Sequence, residues 1–553
     1  MFQSFVFFAV WNSCFALVGG LLTITLEPAT AADGIAEIKA FMNGTHVKRF
    51  LKLRTILVKI VGTILAACSG LASGSEGPLI HIGAGIASGV TRGDKVQSLC
   101  FEFSPAILGR FHNDRDRRHF ISAGAGAGMA AAFGAPIGGV LFVLEETSNA
   151  WTPQLIWHMF TAALVATVSL AFIKADLNSG DVSLAGLLSF GTTNTAPIYW
   201  WEIIMFVVVG IFGGIVGGVF NRAVSLLSLV RPRNNLLRAL EVFSISLITS
   251  ASIFYLVVLN PCLPLQIPSI NRGMQMGCDV GQYNELATLL FGHHELSISR
   301  MMTQAWPFSP YSIASMLKAA AVTFVLMLVT FGAHIPTGIF MPCVFIGSCL
   351  GRVVGEYVKL YVDPRVFAGI YALAGASAVL GGVQRGTISL VIIMIEGTGN
   401  VHSLLPVVVS TCVANLVGNF FGKEGLYDVL IKRKKLRFLP HVPDSFMSLC
   451  FVGDVMSRPV VSFKVIEKIG DIVDVLRSCS HNGFPVVSVE DEKDPSSTPA
   501  GRMEGTILRS TLRTLLSARS LIHHRKPRFL YLFISPSLTV SVSLFCFLFL
   551  SSF

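Results

Sequence analysis

The sequence predicts an all-α polytopic membrane protein with broken and re-entrant helices, followed by a small α+β module. Three observations carry that prediction. Apolar runs of near-spanning length recur up to Phe420, glycine- and proline-rich stretches interrupt them, and a short strand-and-helix pattern begins at Phe451. Composition agrees: of 553 residues, 52% are hydrophobic and only 13% charged, against roughly 25% charged in an average soluble domain. Mean hydropathy is +0.66.

Along the chain, runs approaching the ~20 residues of a spanning helix occupy residues 5–26, 56–72, 155–173, 203–219, 242–259, 319–331 and 404–420. Seven spans is therefore a lower bound. Residues 80–90, 121–133, 335–351 and 373–382 are also apolar, but short and crowded with glycine. Such density suits closely packed, broken helices that end inside the membrane around a polar site. Transporters and some channels are built that way.

Residues 1–26 are too long and continuous for a cleaved signal and lack a basic n-region, so they read as a real span. Net charge is +10, and the basic excess clusters outside the apolar runs, as KRKKLR (432–437) and HHRKPR (523–528). Positive loops face the cytoplasm, which places everything after Phe421 there. Neither run has aromatic interleaving, so no nucleic-acid partner is expected. The eleven cysteines show no CxxC spacing and read mostly as core fillers. Cys262 and Cys278 share one polar loop and pair if that loop is lumenal. No phosphate-cradling loop or catalytic triad is present, so no enzyme is expected.

The domain reading is a transport region over 1–430, a basic linker over 431–450, a single cytoplasmic module over 451–520, and a divergent apolar tail over 521–553. Periodicity in the module gives strand, helix, strand, turn, strand, helix.

The chemistry lies in four stretches: ADGIAEIKAFMNG (32–44), GSEGP (74–78), GAGAGMAAAFGAPIGGVLFVLEE (124–146) and GAHIPTGIFMP (332–342). Each sets small residues just before a helical run, exposing backbone N–H groups at helix starts that carry about half a positive charge. Several converging starts hold an anion without lysine or arginine in the pore, loosely enough to release it. Glu76 then makes sense as a gate. Ionised, it sits on the amides as a tethered anion; protonated, it swings away.

These stretches, in this order, resemble the CLC family of chloride channels and chloride/proton exchangers: GSEGP its GKEGP motif, residues 124–146 its second signature, GIFMP (338–342) its GxFxP. The resemblance covers about residues 1–520 and implies the CLC-type inverted repeat. NDRDRRHFISAG (113–124), CDVGQYNELA (278–287), EGLYDVLI (424–431), NGFPVV (482–487) and EGTILRS (504–510) are similar to the lysosomal, endosomal and plant vacuolar branch. The module then resembles the first of that family's paired CBS domains.

The resemblance implies roles residue by residue. Glu76 is the transport gate and Glu146 the proton relay from the cytoplasmic side. Asp33, Gly34, Ile339, Phe340 and Tyr427 line the anion site, with Gly74, Ser75, Gly77, Pro78, Gly338 and Pro342 forming the pore motifs. Plainer alternatives stand beside these: an arginine-paired helix end for Glu146, a dipole-complementing charge for Glu76, an interfacial anchor for Tyr427. Glu145 reads as structural, Glu396 as helix-end chemistry, and His81 and His334 as packed histidines donating to backbone carbonyls.

Three departures from the family pattern matter. Its GSGIPE reads ADGIAE, its GKEGP lysine is Ser75, and the second CBS domain is absent. An ionised Asp33 cannot donate to an anion as serine does, and a charge ~4 Å from chloride costs about 4 kcal/mol at an effective dielectric of 20, roughly a thousandfold in affinity. A protonated Asp33 carries an O–H donor and stands in for serine; otherwise it tilts away from the pathway, or the product is degenerate. The apolar tail reads as read-through or frameshift. With one CBS half, no cofactor is expected, and adenine nucleotide only if a partner subunit completes the cleft.

The resemblance implies a homodimeric antiporter in lipid that exchanges chloride, or another small anion, for protons across a lysosomal, endosomal or vacuolar membrane, with room for an accessory membrane subunit. A passive voltage-gated chloride channel and a non-conducting scaffold or sensor are the alternatives.

Overall fold

A computed structural model describes residues 2–45, 47, 49–92, 114–147, 152–177, 197–264, 274–279, 281–292, 294–303, 311–422, 424–439, 447, 449–456, 460–488, 502–517 and 529–531. The chain forms two compact units, Met1–Leu439 and Pro440–Phe553.

In chain order the first unit contains α1 (Phe2–Thr25), α2 (Ile35–Met42), α3 (Leu53–Cys68), α4 (Glu76–Arg92), α5 (Asp114–Phe133), α6 (Pro136–Phe142), α7 (Pro153–Leu177), α8 (Glu202–Val230) and α9 (Asn235–Val258). A two-residue hairpin, β1 (Leu263–Pro264) with β2 (Gln282–Tyr283), separates these from the rest. Then come α10 (Glu285–Leu290), α11 (His294–Thr303), α12 (Ile313–Thr330), α13 (Phe340–Tyr361), α14 (Ala368–Gln384), α15 (Ile388–Thr398), α16 (Leu404–Phe421) and α17 (Leu426–Arg433).

Seven helices among the described residues are long and apolar enough to cross a membrane. They differ from the seven expected runs in one place. Of residues 56–72 only those up to Cys68 are helical, in α3, a helix of 16 residues, whereas the glycine-rich stretch after Ile335 extends into α13, 22 residues long. Glycine there does not break the helix; it lets α14 approach. A Cβ on Gly375 would lie 2.7 Å from the Cα of Gly351, so α13 and α14 touch backbone to backbone. As a result α14 is buried along its whole length.

Of the other stretches expected to be short and broken, 80–90, 121–133 and 373–382 lie inside continuous helices α4, α5 and α14, of 17, 20 and 17 residues, and the short helices are α2, α6 and α17, of 8, 7 and 8 residues. Lone helices this short are marginal, and buried ends need partners. Two glutamates supply them reciprocally. Glu145, just past α6, accepts from the backbone N–H groups of Thr387 (2.7 Å) and Ser389 (2.9 Å) and from their hydroxyls (3.0 and 2.6 Å), capping α15. Glu396, near the end of α15, accepts from Ile137 (3.3 Å) and Gly138 (2.7 Å), capping α6. Both acids are structural, as the sequence suggests.

Asn43 pairs both ways with Leu439, the last residue of the first unit, donating at 2.9 Å and accepting at 2.8 Å. Cys262 and Cys278, with Cα atoms 5.8 Å apart, form a disulfide beside the hairpin.

In the second unit, α18 (Val452–Val455) stands where a strand is expected. Then follow β3 (Phe463–Lys464), β4 (Ile466–Lys468), α19 (Ile469–Ser478), β5 (Gly483–Ser488), β6 (Arg502–Leu508), α20 (Arg509–Ser517) and β7 (Phe529–Tyr531). β3 pairs with β5 in parallel and β5 with β6 antiparallel, while β4 pairs with β7. Phe463, Ile472, Phe484, Val486 and Leu512 form its core. The HHRKPR run and the tail beyond Tyr531 lie outside the described residues.

Candidate functional site

Two helix starts are locked together by backbone. The Gly74 N–H donates to the Gly338 carbonyl and the Gly338 N–H to that of Gly74, each at 2.8 Å. This bridge sets the N-termini of α4 and α13 side by side, and each helix has proline as its third residue, Pro78 and Pro342. There a missing N–H costs nothing, because it has no intrahelical acceptor. Ser75 is half-buried in the same turn, and its carbonyl accepts from Leu79 at 3.0 Å.

Glu76, the first residue of α4, is 1% exposed. Its carboxylate is directed at the backbone amides of Glu76 itself, of Ser75 and, across the junction, of Met341. Oε2 is buried without a hydrogen-bond partner of normal geometry. A Cβ on Gly74 would strike that oxygen, so glycine is required for the carboxylate to reach this seat. Ile339 caps α13 and Phe340 opens it, both buried. Their amides lie in the turn that has no intrahelical acceptors.

Asp33 and Gly34 precede α2 and pack onto the same junction. The Ala32 N–H donates to the Ile335 carbonyl at 3.2 Å. Gly34 has φ of +91° and sits against His81 with no room for a Cβ. Asp33 is 1% exposed. Its Oδ1 accepts from the Ile35 N–H at 3.3 Å, while Oδ2 is buried and unpartnered. It is pressed so closely on α4 that a Cβ on Gly77 would fall 2.6 Å from its Cβ. Asp33 is therefore not tilted out to solvent.

Tyr427, at the start of α17, is fully buried, and its hydroxyl accepts from Gln384 Nε2 at 3.3 Å. A ring without exposure is not an interfacial anchor. Asp33, Glu146 and Glu76 all act on the Tyr427 hydroxyl through space.

Glu146 does not join the junction. It sits in a π-helical turn, Val143–Thr147, that continues α6, beside the last turn of α2. The expected arginine partner is a lysine: Lys39 Nζ donates to Glu146 Oε1 at 3.1 Å and pairs with Asp428 Oδ1 at 2.8 Å. The side chain of Glu146 is 12% exposed, and Asn43, just past α2, contacts Leu439, two residues after the KRKKLR run.

Lysine is not absent from the surroundings of the site. Lys59 of α3 is 1% exposed and donates to the carbonyls of Thr30 (3.0 Å) and Ala32 (2.6 Å), directly behind Asp33. A lone lysine inside the apolar run 56–72 is the signal that marks it. Lys39 and Gln384 leave no comparable trace in the sequence. His81 is a packed histidine, with Nε2 3.0 Å from the Phe50 carbonyl and its ring stacked on Phe50. The Nδ1 atoms of both His81 and His334 are buried without a hydrogen-bond partner. Among the described residues no cluster of His, Cys, Asp or Glu is placed to hold a metal ion.

Known proteins resemble this chain over most of its length. The voltage gated chloride channel family model matches residues 14–419. The H(+)/Cl(-) exchange transporter 7 of Mus musculus is 38% identical over 526 residues, covering 93% of this chain and 64% of the relative. Chloride channel protein CLC-b of Arabidopsis thaliana is 34% identical over 529 residues, covering 92% and 67%. The crystal structure of a eukaryotic CLC transporter superposes with a TM-score of 0.66 at 21% identity, over 93% of this chain and 81% of that one. The chain thus has that fold and spans about two thirds of the length of these relatives.

Proposed function

Because the chain belongs to the voltage-gated chloride channel family and is a multi-pass integral membrane protein, we propose that it is a secondary active antiporter exchanging chloride, or another small anion, for protons. The observation that carries this is the seat of Glu76. A buried carboxylate rests on the amide ends of two helices from opposite halves of the chain, joined by the Gly74–Gly338 bridge.

Helix starts favour an anion there, and in the ionised state Glu76 is that anion. Protonation removes its charge and frees the amides for a mobile anion, so proton and anion compete for one place. Tyr427 and the amides of Ile339 and Phe340 line the inner side. Glu146 supplies protons from the side of the basic segment, where Lys39 steadies its charge. The names of the relatives support the exchange of protons for chloride.

By the same likeness, the second unit acts as a cytoplasmic CBS-like module, the protein forms homodimers, and it works in a lysosomal, endosomal or vacuolar membrane. The sheet of β3, β5 and β6 with α19 and α20 supports the module reading.

The test is proton movement in proteoliposomes of purified protein under a chloride gradient, with Glu146→Ala beside the wild type. Uphill proton movement that is lost in the variant, with chloride flux persisting, supports the exchanger. Chloride flux without proton movement in either protein makes it a passive channel.

A further inference from the structure

We propose that Asp428 is a positioning residue for proton transfer: by sharing Lys39 with Glu146, it lets the relay carboxylate take up a proton without stranding a buried ammonium. The inference rests on the reading of Glu146 as the proton relay above. It starts from a triad assembled by three elements. Lys39 Nζ of α2 lies 3.1 Å from Glu146 Oε1, in the turn after α6, and 2.8 Å from Asp428 Oδ1 of α17. Two carboxylates thus meet at one ammonium.

The three side chains differ in their access to water. Those of Lys39 and Glu146 are 14% and 12% exposed, whereas that of Asp428 is 37% exposed. Glu146 is faced by Lys39, by Asp428, by Glu145 of its own turn and by Tyr427 of α17. Lys39 is faced by the two acids and by the ring of Phe438, 6.0 Å from Nζ. Glu145 is taken up in capping α15, accepting from Thr387 and Ser389. Among the described residues, Lys39 is the sole cation paired with Glu146 or with Asp428.

Charge counting gives each acid its part. With both carboxylates ionised the triad carries one net negative charge. When Glu146 takes a proton the triad becomes neutral, and Lys39 keeps a partner in Asp428. Without Asp428 the same step leaves a mostly buried ammonium unpaired, which is costly, so Glu146 is held ionised down to lower pH. Without Lys39 the two acids repel each other, and Glu146 takes its proton at higher pH. α17 puts a fully buried Tyr427 next to a part-exposed Asp428, so one short helix serves both the anion side and the relay.

The experiment measures the proton-to-chloride ratio in proteoliposomes of the full chain under a chloride gradient. The pH is equal on both sides and is stepped from mildly acidic to mildly alkaline, for wild type, Asp428→Asn, Asp428→Glu and Lys39→Met. Loading of the relay fails as pH rises, and in Asp428→Asn coupling is expected to fade about one pH unit below the wild type. That is the low end of the effect of a charge within ~4–6 Å, because Asp428 is partly exposed. Lys39→Met moves the fade to higher pH, and Asp428→Glu restores the wild-type profile. A packing role alone would alter flux or stability without moving the profile. Unmoved profiles in Asp428→Asn and Lys39→Met, or shifts in the same direction, overturn the inference and leave the transport reading standing as long as the wild type couples. If Lys39→Met is not monodisperse, Asp428→Asn and Asp428→Glu decide. Proton movement absent from folded wild type at every pH overturns both.

Discussion

Adding one methyl group at Gly77 tests the packing that holds Asp33 in the site. A Cβ there would stand 2.6 Å from Asp33 Cβ, about 1 Å inside the optimal carbon–carbon separation of roughly 3.5–4.0 Å. Asp33 has little freedom to retreat. Lys59 holds the Ala32 carbonyl at 2.6 Å, the Ala32 N–H is bound to Ile335 at 3.2 Å, and Ile35 holds the carboxylate at 3.3 Å. The strain falls on backbone, at about 1–3 kcal/mol for overpacking, or roughly 5- to 150-fold in anion affinity if it is expressed at the site. Gly89 on the same helix is the internal control, since a Cβ there meets nothing within 4 Å. Gly89→Ala should be neutral or gain up to ~1 kcal/mol of helix propensity. The assay is thermal unfolding followed by intrinsic tryptophan fluorescence, with chloride uptake measured in parallel. Gly77→Ala should be less stable than Gly89→Ala by about 1–4 kcal/mol and impaired in uptake. Indistinguishable variants would refute the contact between Asp33 and α4.

Removing Lys39 (Lys39→Met) leaves Glu146 and Asp428 without their shared cation. Exposure of 12% and 37% for the two acids puts the loss mainly on Glu146, at about 1–3 kcal/mol, below the 3–5 typical of a fully buried pair. Adding Glu146→Gln should restore most of the unfolding temperature, and no rescue would mean that the pair is not what Lys39 stabilises. Glu145→Ala removes four capping bonds and Glu396→Ala two, so losses of about 2 and about 1 kcal/mol are expected. Thermal unfolding of the double variant should show the two effects adding, because the caps sit at opposite ends of the α6–α15 pair. Gln384→Leu removes the donor to Tyr427 and should weaken anion uptake no more than Tyr427→Phe, which removes the hydroxyl itself; a larger loss in Gln384→Leu would give Gln384 a role beyond orienting Tyr427.

Six of the seven spanning runs, the helix starts and the acid at Gly74–Pro78 were legible in the sequence. Hydropathy, glycine spacing and a charge inside an apolar run are local signals, and the solvent that they imply leaves few structures possible. The sequence also made Cys262 and Cys278 a candidate pair, and Glu145 and Glu396 helix-end residues. Tertiary structure alone decided which distant pieces share a site. The Gly74–Gly338 bridge, the contact of Asp33 with Gly77, and the Lys39–Glu146–Asp428 pairing each join segments far apart in the chain. Periodicity carries no record of such partners. The same holds for α13, whose glycines read locally as interruptions but serve as the surface on which α14 lies. Whether glycine breaks a helix or seats its neighbour depends on what stands opposite, and only the folded chain supplies that.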